Sequence, residues 1–194
     1  MVLDLETSGL DLKRDQVLSI GAVVIDGGAI QLGEQFECTL QRDGHTVSAS
    51  VLIHGLAPSA IAAGIEPAEA LLAFMEFLGD SPLLAFHAGF DQRMLARALK
   101  DTLNLRLRHP FYDVAELAPM LCPQAEIRNG GLDDWTAYFG LQVGQRHHAS
   151  ADALVTAELA LILFSRARKQ QADSLKALEQ RLKSWRQRLQ GHSL

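Results

Sequence analysis

The sequence predicts an α/β fold in which helices flank a mixed β-sheet. Its first forty residues contain three strand patterns, with a tight turn between the second and third, which is typical of antiparallel pairing. The rest of the chain alternates helical patterns with short strand patterns, which favours additional strands covered by helices. With 194 residues, 48% of them apolar, the chain can bury one full core without disulfides.

The three opening strands are predicted over residues 1–5, 17–25 and 29–40. Residues 17–25 are rich in β-branched side chains, and residues 29–40 alternate apolar and polar side chains. Gly27 and Gly28 separate these two segments, and adjacent glycines favour a two-residue hairpin turn. We therefore expect an antiparallel half-sheet that starts at the first residue.

The later part of the chain is predicted to contain two short strands and several helices. Pro67 stands near the first position of an apolar pattern with helical spacing, and Gly140 ends a short helical pattern. The predicted helices cover residues 67–78, 90–99, 132–139 and 149–168, the predicted strands cover residues 83–87 and 110–114, and a further helix runs to residue 121.

Charge is distributed unevenly along the chain. Residues 1–165 carry a net charge of −11, whereas residues 166–194 carry +6. We expect a domain over residues 1–165 and a basic amphipathic helix over residues 166–194. An acidic body accepts an anionic substrate only with the help of metal ions or a local basic patch. The basic tail is either a solvated helix face or a surface that meets nucleic acid or another subunit.

Apolar side chains in the tail are spaced alternately by three and four residues, which is typical of one apolar helix face. This face either packs on its own domain or associates with a second copy or a partner such as a polymerase. The apolar positions are Leu175, Leu178, Leu182, Trp185 and Leu189.

Composition also bears on location. The chain has two cysteines, Cys38 and Cys122, and no secretory pattern at its first residues. The longest nearly apolar run, residues 153–164, is too short to span a bilayer. We expect a cytoplasmic protein with reduced thiols and no membrane association.

Two acidic residues on the first predicted strand form a candidate metal site. Asp4 and Glu6 alternate with Leu3 and Leu5, so both carboxylates lie on one face of the strand and both leucines on the other. Neighbouring carboxylates repel each other unless a cation lies between them, which favours a divalent metal ion.

Further acidic and histidine residues are candidates for the same site. Asp91 follows a strand pattern at the start of a helix, where a helix cap is an alternative explanation. Asp152 lies among alanines near the start of the long helix and either faces solvent or binds a ligand. His147 and His148 precede it. A lone histidine near the start of a helix is more often structural than catalytic, but a histidine pair beside an aspartate that can bind metal also suits acid–base chemistry.

These residues resemble three ordered motifs of the DEDDh family of 3′–5′ exonucleases, which includes the proofreading subunit of bacterial replicative DNA polymerases. The motif D-x-E-T followed by glycine matches residues 4–9, and F-D matches residues 90 and 91. The motif H-x-A-x-x-D matches residues 147–152. The resemblance covers residues 1–166, and three motifs in order are far more specific than any one of them.

The resemblance implies a ribonuclease-H-like fold with a five-stranded mixed sheet, and two bound Mg²⁺ or Mn²⁺ ions. It implies that Asp4 bridges the two ions, that Glu6 and Asp152 hold the ion that activates water, and that Asp91 helps to bind the other. It also makes His147 the general base.

The choice between the two histidines depends on where the long helix begins. Helical spacing pairs His148 with Asp152, because residues four apart share a helix face. The family spacing selects His147, which agrees with helical geometry only if the helix begins after that residue. We expect His147 to be the base, with His148 as the alternative.

The resemblance further implies a pocket for the terminal nucleotide, lined by Thr7, Leu10, His54 and Phe90. Core packing is the alternative explanation for Leu10 and Phe90. The predicted function is a metal-dependent 3′–5′ exonuclease that releases nucleoside monophosphates from the 3′ ends of single-stranded DNA. The alternatives are an RNA-trimming exoribonuclease and a non-catalytic module that binds nucleic acid or a polymerase.

Overall fold

The first three strands form the antiparallel half of the sheet. β1 is Val2–Thr7, β2 is Val17–Asp26 and β3 is Ala29–Thr39, and each pairs antiparallel with the next. Gly27 and Gly28 turn the chain between β2 and β3 with φ values of 56° and 81°, which glycine adopts without steric cost. The predicted hairpin is therefore confirmed. The computed structural model that provides these elements describes residues 1–42, 55–144 and 146–191.

Two short strands complete the sheet. β4, Leu83–Ala85, lies parallel beside β1, and β5, Phe111–Asp113, lies parallel beside β4. The strand order is β3-β2-β1-β4-β5, so β1 is central and the predicted mixed five-stranded sheet is confirmed. Both short strands end before the predicted residues 87 and 114, because the chain passes into helices there.

The predicted helices are present, and two of them have the predicted bounds. The helix over residues 88–103 starts two residues earlier and ends four residues later than expected, and a five-residue helix over residues 58–62 was not predicted. The helices are α1 (Pro58–Ala62), α2 (Pro67–Leu78), α3 (Ala88–Leu103), α4 (Val114–Leu121), α5 (Leu132–Phe139), α6 (Ala149–Lys169) and α7 (Leu175–Gly191), with a 3₁₀ turn at Pro123–Ala125.

Each face of the sheet is covered by its own apolar cluster. One cluster joins β1 through Val2 to the buried sides of α4, α5, α6 and α7. The other joins Leu3 and Leu5 of β1 to α2 and α3. Alternate side chains of β1 thus pack into the two cores. The face that carries Val2 also carries the next alternate residues, Asp4 and Glu6.

The C-terminal helix packs on its own domain. Leu178 and Leu182 are buried in the same cluster as α4 and α6, whereas Leu189 is 51% exposed. The Arg186 guanidinium pairs with both carboxylate oxygens of Glu116 on α4. The boundary drawn after residue 165 falls inside α6, which continues to residue 169; the division into two domains stays a prediction.

In the part of the chain that the structure describes, none of the helices combines the length and the apolar character needed to cross a membrane.

Candidate active site

The central strand presents two carboxylates on one face of the sheet. Asp4 and Glu6 are both half-buried, and their neighbours Leu3 and Leu5 are buried on the opposite face, as the alternation predicts. Asp4 lies opposite Gly21 of β2 in the antiparallel register. Because β1 has paired strands on both sides, the positions of its side chains are well fixed.

Gly21 allows the long helix to approach this point closely. A methyl group at its Cα would lie 2.1 Å from the carbonyl carbon of Ala149 and 2.2 Å from the backbone nitrogen of Ser150. No side chain fits in that space, so the first turn of α6 rests directly on β2. This contact brings Asp152, in the same first turn, over the carboxylates of β1.

Asp152 completes a cluster of three acidic side chains. One oxygen of each of Asp4, Glu6 and Asp152 lies within 4.8 Å of the corresponding atoms of the other two. Asp152 is only 5% exposed, so of the two explanations considered for it, solvent exposure is excluded. Residues distant in sequence thus converge on one point through β1 and α6.

Asp91 lies beside this cluster in the first turn of α3. It is 5% exposed and lies close to Glu6 of β1 and to Asp113. The helix cap position belongs to His87, which has a left-handed φ of 62°, so the capping explanation of Asp91 is wrong. It lies beside the central strand instead.

The grouped carboxylates make proton release costly. Burial raises the pKa of Asp4 well above its usual range, and the charge of Asp91 raises it further. Burial, with the charge of Asp152, raises the pKa of Glu6 to about 7. Burial, together with Asp113 and Glu6, raises the pKa of Asp91 to about 8. A divalent cation would relieve this repulsion and favour the ionised forms.

An arginine that sequence reasoning missed enters the cluster. The Arg146 guanidinium pairs through Nη1 with Oδ1 of Asp152. Its Nε donates to Oδ1 of Asp133 on α5 at 2.6 Å. The positive charge of Arg146 opposes the rise in the pKa of both Asp4 and Glu6.

The two candidate histidines occupy different environments. His147 precedes α6 with a left-handed φ of 60°, its side chain is exposed, and its backbone N–H donates to Oδ2 of Asp152 at 3.1 Å. His148 lies at the helix cap, where Nδ1 is 3.1 Å from the Ser150 hydroxyl and Nε2 is 3.3 Å from a carboxylate oxygen of Glu37 on β3. The helix begins after both histidines. This is the condition under which the five-residue spacing of His147 and Asp152 agrees with helical geometry.

Comparison with known proteins identifies the family. Residues 1–160 match the exonuclease family RNase T. The chain belongs to the exonuclease family. This match confirms the resemblance to 3′–5′ exonucleases that the three motifs predict.

One relative of this exonuclease domain is a much longer protein. The DNA polymerase III PolC-type of Thermotoga maritima is 33% identical over 161 residues, which are 83% of this chain and 11% of that protein. The chain thus spans about a tenth of the length of the curated relatives that it matches.

Solved structures share the fold. E. coli Exonuclease I in complex with a dT13 oligonucleotide has a TM-score of 0.70 at 19% identity over 87% of this chain and 41% of that chain. Exonuclease X in complex with 5′ overhanging duplex DNA has a TM-score of 0.67 at 19% identity over 84% of this chain and 90% of that chain. The predicted ribonuclease-H-like fold of the exonuclease domain is thereby confirmed.

The predicted substrate-contacting residues that the structure describes differ in how deeply they are buried. Thr7 is buried, and its hydroxyl donates to the carbonyl oxygen of Gly9 at 2.8 Å. Leu10 is 83% exposed, so core packing is excluded for it. Phe90 is half-buried and packs against the cluster of α2 and α3, so core packing accounts for much of its surface. His54 lies outside the described residues.

Two further aspartates, one beside Asp91 and one in the loop after β1, were not predicted. Asp113 ends β5, accepts the backbone N–H groups of His87 and Ala115 at 3.0 Å, and thereby links the carboxyl ends of β4 and β5 beside Asp91. Asp15 accepts from the Ser8 hydroxyl at 2.8 Å and thereby holds the loop that follows β1. The position of Asp113 at the end of a strand pattern is the sequence feature that could have identified it.

The donor set fits a hard divalent cation. Oxygen atoms of Asp4, Glu6 and Asp152 converge from two elements, and carboxylate oxygens are the ligands that such cations prefer. Burial and mutual repulsion raise the pKa values of Asp4 and Glu6, and among the described residues Arg146 is the one cation paired with the cluster.

Proposed function

We propose that this chain is a metal-dependent 3′–5′ exonuclease that hydrolyses phosphodiester bonds at the 3′ ends of single-stranded DNA and releases nucleoside monophosphates. The observation that carries the proposal is the convergence of Asp4, Glu6 and Asp152 within 4.8 Å in a chain of the exonuclease family. A non-catalytic binding module has no need of buried carboxylates that repel one another in this way.

The acidic residues are proposed to hold two Mg²⁺ or Mn²⁺ ions. Asp4, Glu6 and Asp152 would hold one ion, and Asp4 with Asp91 would hold the second. Bound ions of this kind lower the pKa of water and stabilise negative charge on a leaving 3′-oxygen. The protein's part is to fix the ligands, and it does so through paired strand β1 and the close contact at Gly21.

His147 is proposed as the general base that accepts a proton from the attacking water. Its exposed side chain on a loop that is tied to Asp152 is consistent with movement toward the cluster when substrate binds. Histidine suits this role because its usual pKa lies near neutral pH. His148 is a weaker candidate because both of its ring nitrogens already face polar partners.

The 3′ end is proposed to lie between the turn after β1 and the start of α3. Leu10 is exposed there and could pack against a terminal base without reading its identity. Exonuclease I and Exonuclease X were solved with DNA, and the Thermotoga maritima relative is a DNA polymerase. These similarities favour DNA as the substrate and proofreading beside a polymerase as the role.

The proposal is tested by digestion of 5′-labelled single-stranded DNA and RNA of the same sequence, with Mg²⁺, Mn²⁺ or EDTA. We expect DNA to shorten from its 3′ end, and EDTA or Asp4→Asn to abolish the shortening. Asp26→Asn, at the exposed end of β2, is the matched control and should retain activity. Faster loss of RNA would move the role to RNA processing, and no cleavage by a folded, Mn²⁺-binding protein would contradict the catalytic claim.

A further inference from the structure

Within the described residues, Arg146 is the one cation that pairs with a member of the acidic cluster. Its guanidinium bridges two helices, with Nη1 on Asp152 of α6 and Nε on Asp133 of α5. The side chain is 25% exposed, so most of it lies inside the protein. A planar guanidinium suits this bridge because its donors point in fixed directions toward separate carboxylates.

Both carboxylate oxygens of Asp152 are already engaged. Oδ1 accepts from Arg146, and Oδ2 accepts from the backbone N–H of His147 at 3.1 Å. The same carboxylate has an oxygen within 4.8 Å of oxygens of Asp4 and Glu6. A cation that takes Asp152 as a ligand therefore has to replace or share a contact that Arg146 now makes.

We propose that Arg146 is a positioning residue that serves as an internal counter-cation, neutralises Asp152 when no metal ion is bound, and is displaced from it when a divalent ion binds. The inference rests on the proposed function, because the displacing ion is the one that the nuclease reaction requires. The guanidinium and a divalent ion are both positively charged and repel each other at one small carboxylate, so they compete for Asp152.

Displacement would also affect the candidate base. Arg146 directly precedes His147, and each makes one of the two contacts with Asp152. Loss of the arginine contact leaves the segment before α6 held by fewer bonds, while the exposed Asp133 remains available to the guanidinium. Metal binding and the position of His147 are thereby coupled through one side chain.

The test is a Mn²⁺ titration of the full chain by calorimetry, together with thermal unfolding in EDTA. Hydrogen bonds to charged groups correspond to about a tenfold to hundredfold effect on an equilibrium, so Arg146→Gln should bind Mn²⁺ at least about tenfold more tightly. The same variant should unfold at a lower temperature in EDTA, because the carboxylates lose their counter-charge. A merely structural arginine would lower the unfolding temperature without strengthening metal binding.

The variant Arg146→Lys distinguishes the effect of the direct contact on Mn²⁺ affinity from the effect of the long-range positive charge. Lysine keeps the charge but lacks the planar fork that spans both aspartates, so displacement predicts a shift of Mn²⁺ affinity toward that of Arg146→Gln. Arg128→Gln, which removes an exposed arginine outside the cluster, is the control and should leave the affinity unchanged. Wild-type affinity in both Arg146 variants would overturn this inference but leave the proposed function standing. No Mn²⁺ binding by the wild-type chain would instead overturn the proposed function.

Discussion

Replacement of Gly21 by alanine tests how closely the metal ligands depend on the packing of α6 against the sheet. The new methyl group would lie 2.1 Å from the carbonyl carbon of Ala149, whereas ordinary contacts begin at 3.4 Å. The obstacle is backbone and cannot rotate away, so the start of α6 has to retreat by about 1.3 Å. Asp152 sits in that turn and would move with it, away from Asp4.

The size of the effect follows from that displacement. Overpacking of a close contact costs about 1–3 kcal/mol, and for a chain of this size each kcal/mol lowers the unfolding temperature by about 2–4 °C. A misplacement of about 1 Å in a catalytic group can lower the rate about 100-fold. We therefore expect Gly21→Ala to unfold several degrees lower in EDTA and to lose most of its Mn²⁺-dependent nuclease activity.

The assay compares this variant with Gly33→Ala in thermal unfolding, Mn²⁺ titration and digestion of labelled DNA. Gly33 is exposed on β3, and a methyl group there would meet nothing within 4 Å, so its replacement should change none of the three readouts. Wild-type unfolding temperature and wild-type metal affinity in Gly21→Ala would refute the reasoning that this glycine sets the position of Asp152.

Three further outcomes are expected. Leu182→Ala should lower the free energy of unfolding by about 2–4 kcal/mol in urea denaturation, whereas Leu189→Ala should change it by less than about 0.5 kcal/mol; equal effects would contradict the packing of α7. Burial raises the pKa of Glu6 from 4.5 to about 7, so the folded metal-free protein retains a proton that the unfolded chain has released. This carboxyl should therefore contribute a loss of stability of about 1–2 kcal/mol as pH rises from 4.5 to 7, a figure reduced for partial exposure, and the raised pKa values of Asp4 and Asp91 act in the same direction. Saturating Mn²⁺ should remove the fall, and a flat profile in EDTA would contradict the raised pKa values. His147→Ala should lower kcat about 100-fold or more in the nuclease assay while His148→Ala changes it little, and the reverse order would exchange their roles.

Local signals explain which parts of the fold could be predicted. The paired glycines fix the hairpin, and the helical spacing together with Pro67 fixes the range of α2, because both depend on neighbouring residues alone. The carboxylates of β1 share a face because a strand has a period of two residues. These features need no knowledge of what the rest of the chain does.

Long-range contacts explain what the sequence left open. Gly21 lies inside an apolar strand pattern, and its importance appears only when α6 is placed against it. The pairing of Arg146 with Asp133 and Asp152 joins two helices, and no spacing rule predicts it. The short helix α1 has only five residues, too few for a periodic pattern. A cytoplasmic location and the separate status of the tail remain predictions.

The central claim is that Asp4, Glu6 and Asp152 form a metal site with Asp91 beside it. It is tested most directly by anomalous diffraction from a crystal of the full chain soaked in Mn²⁺. We predict two Mn²⁺ peaks, one ligated by Asp4, Glu6 and Asp152 and the other reached by Asp4 and Asp91, with Arg146 no longer on Asp152. A fully soaked crystal with no peak at these carboxylates would contradict the account.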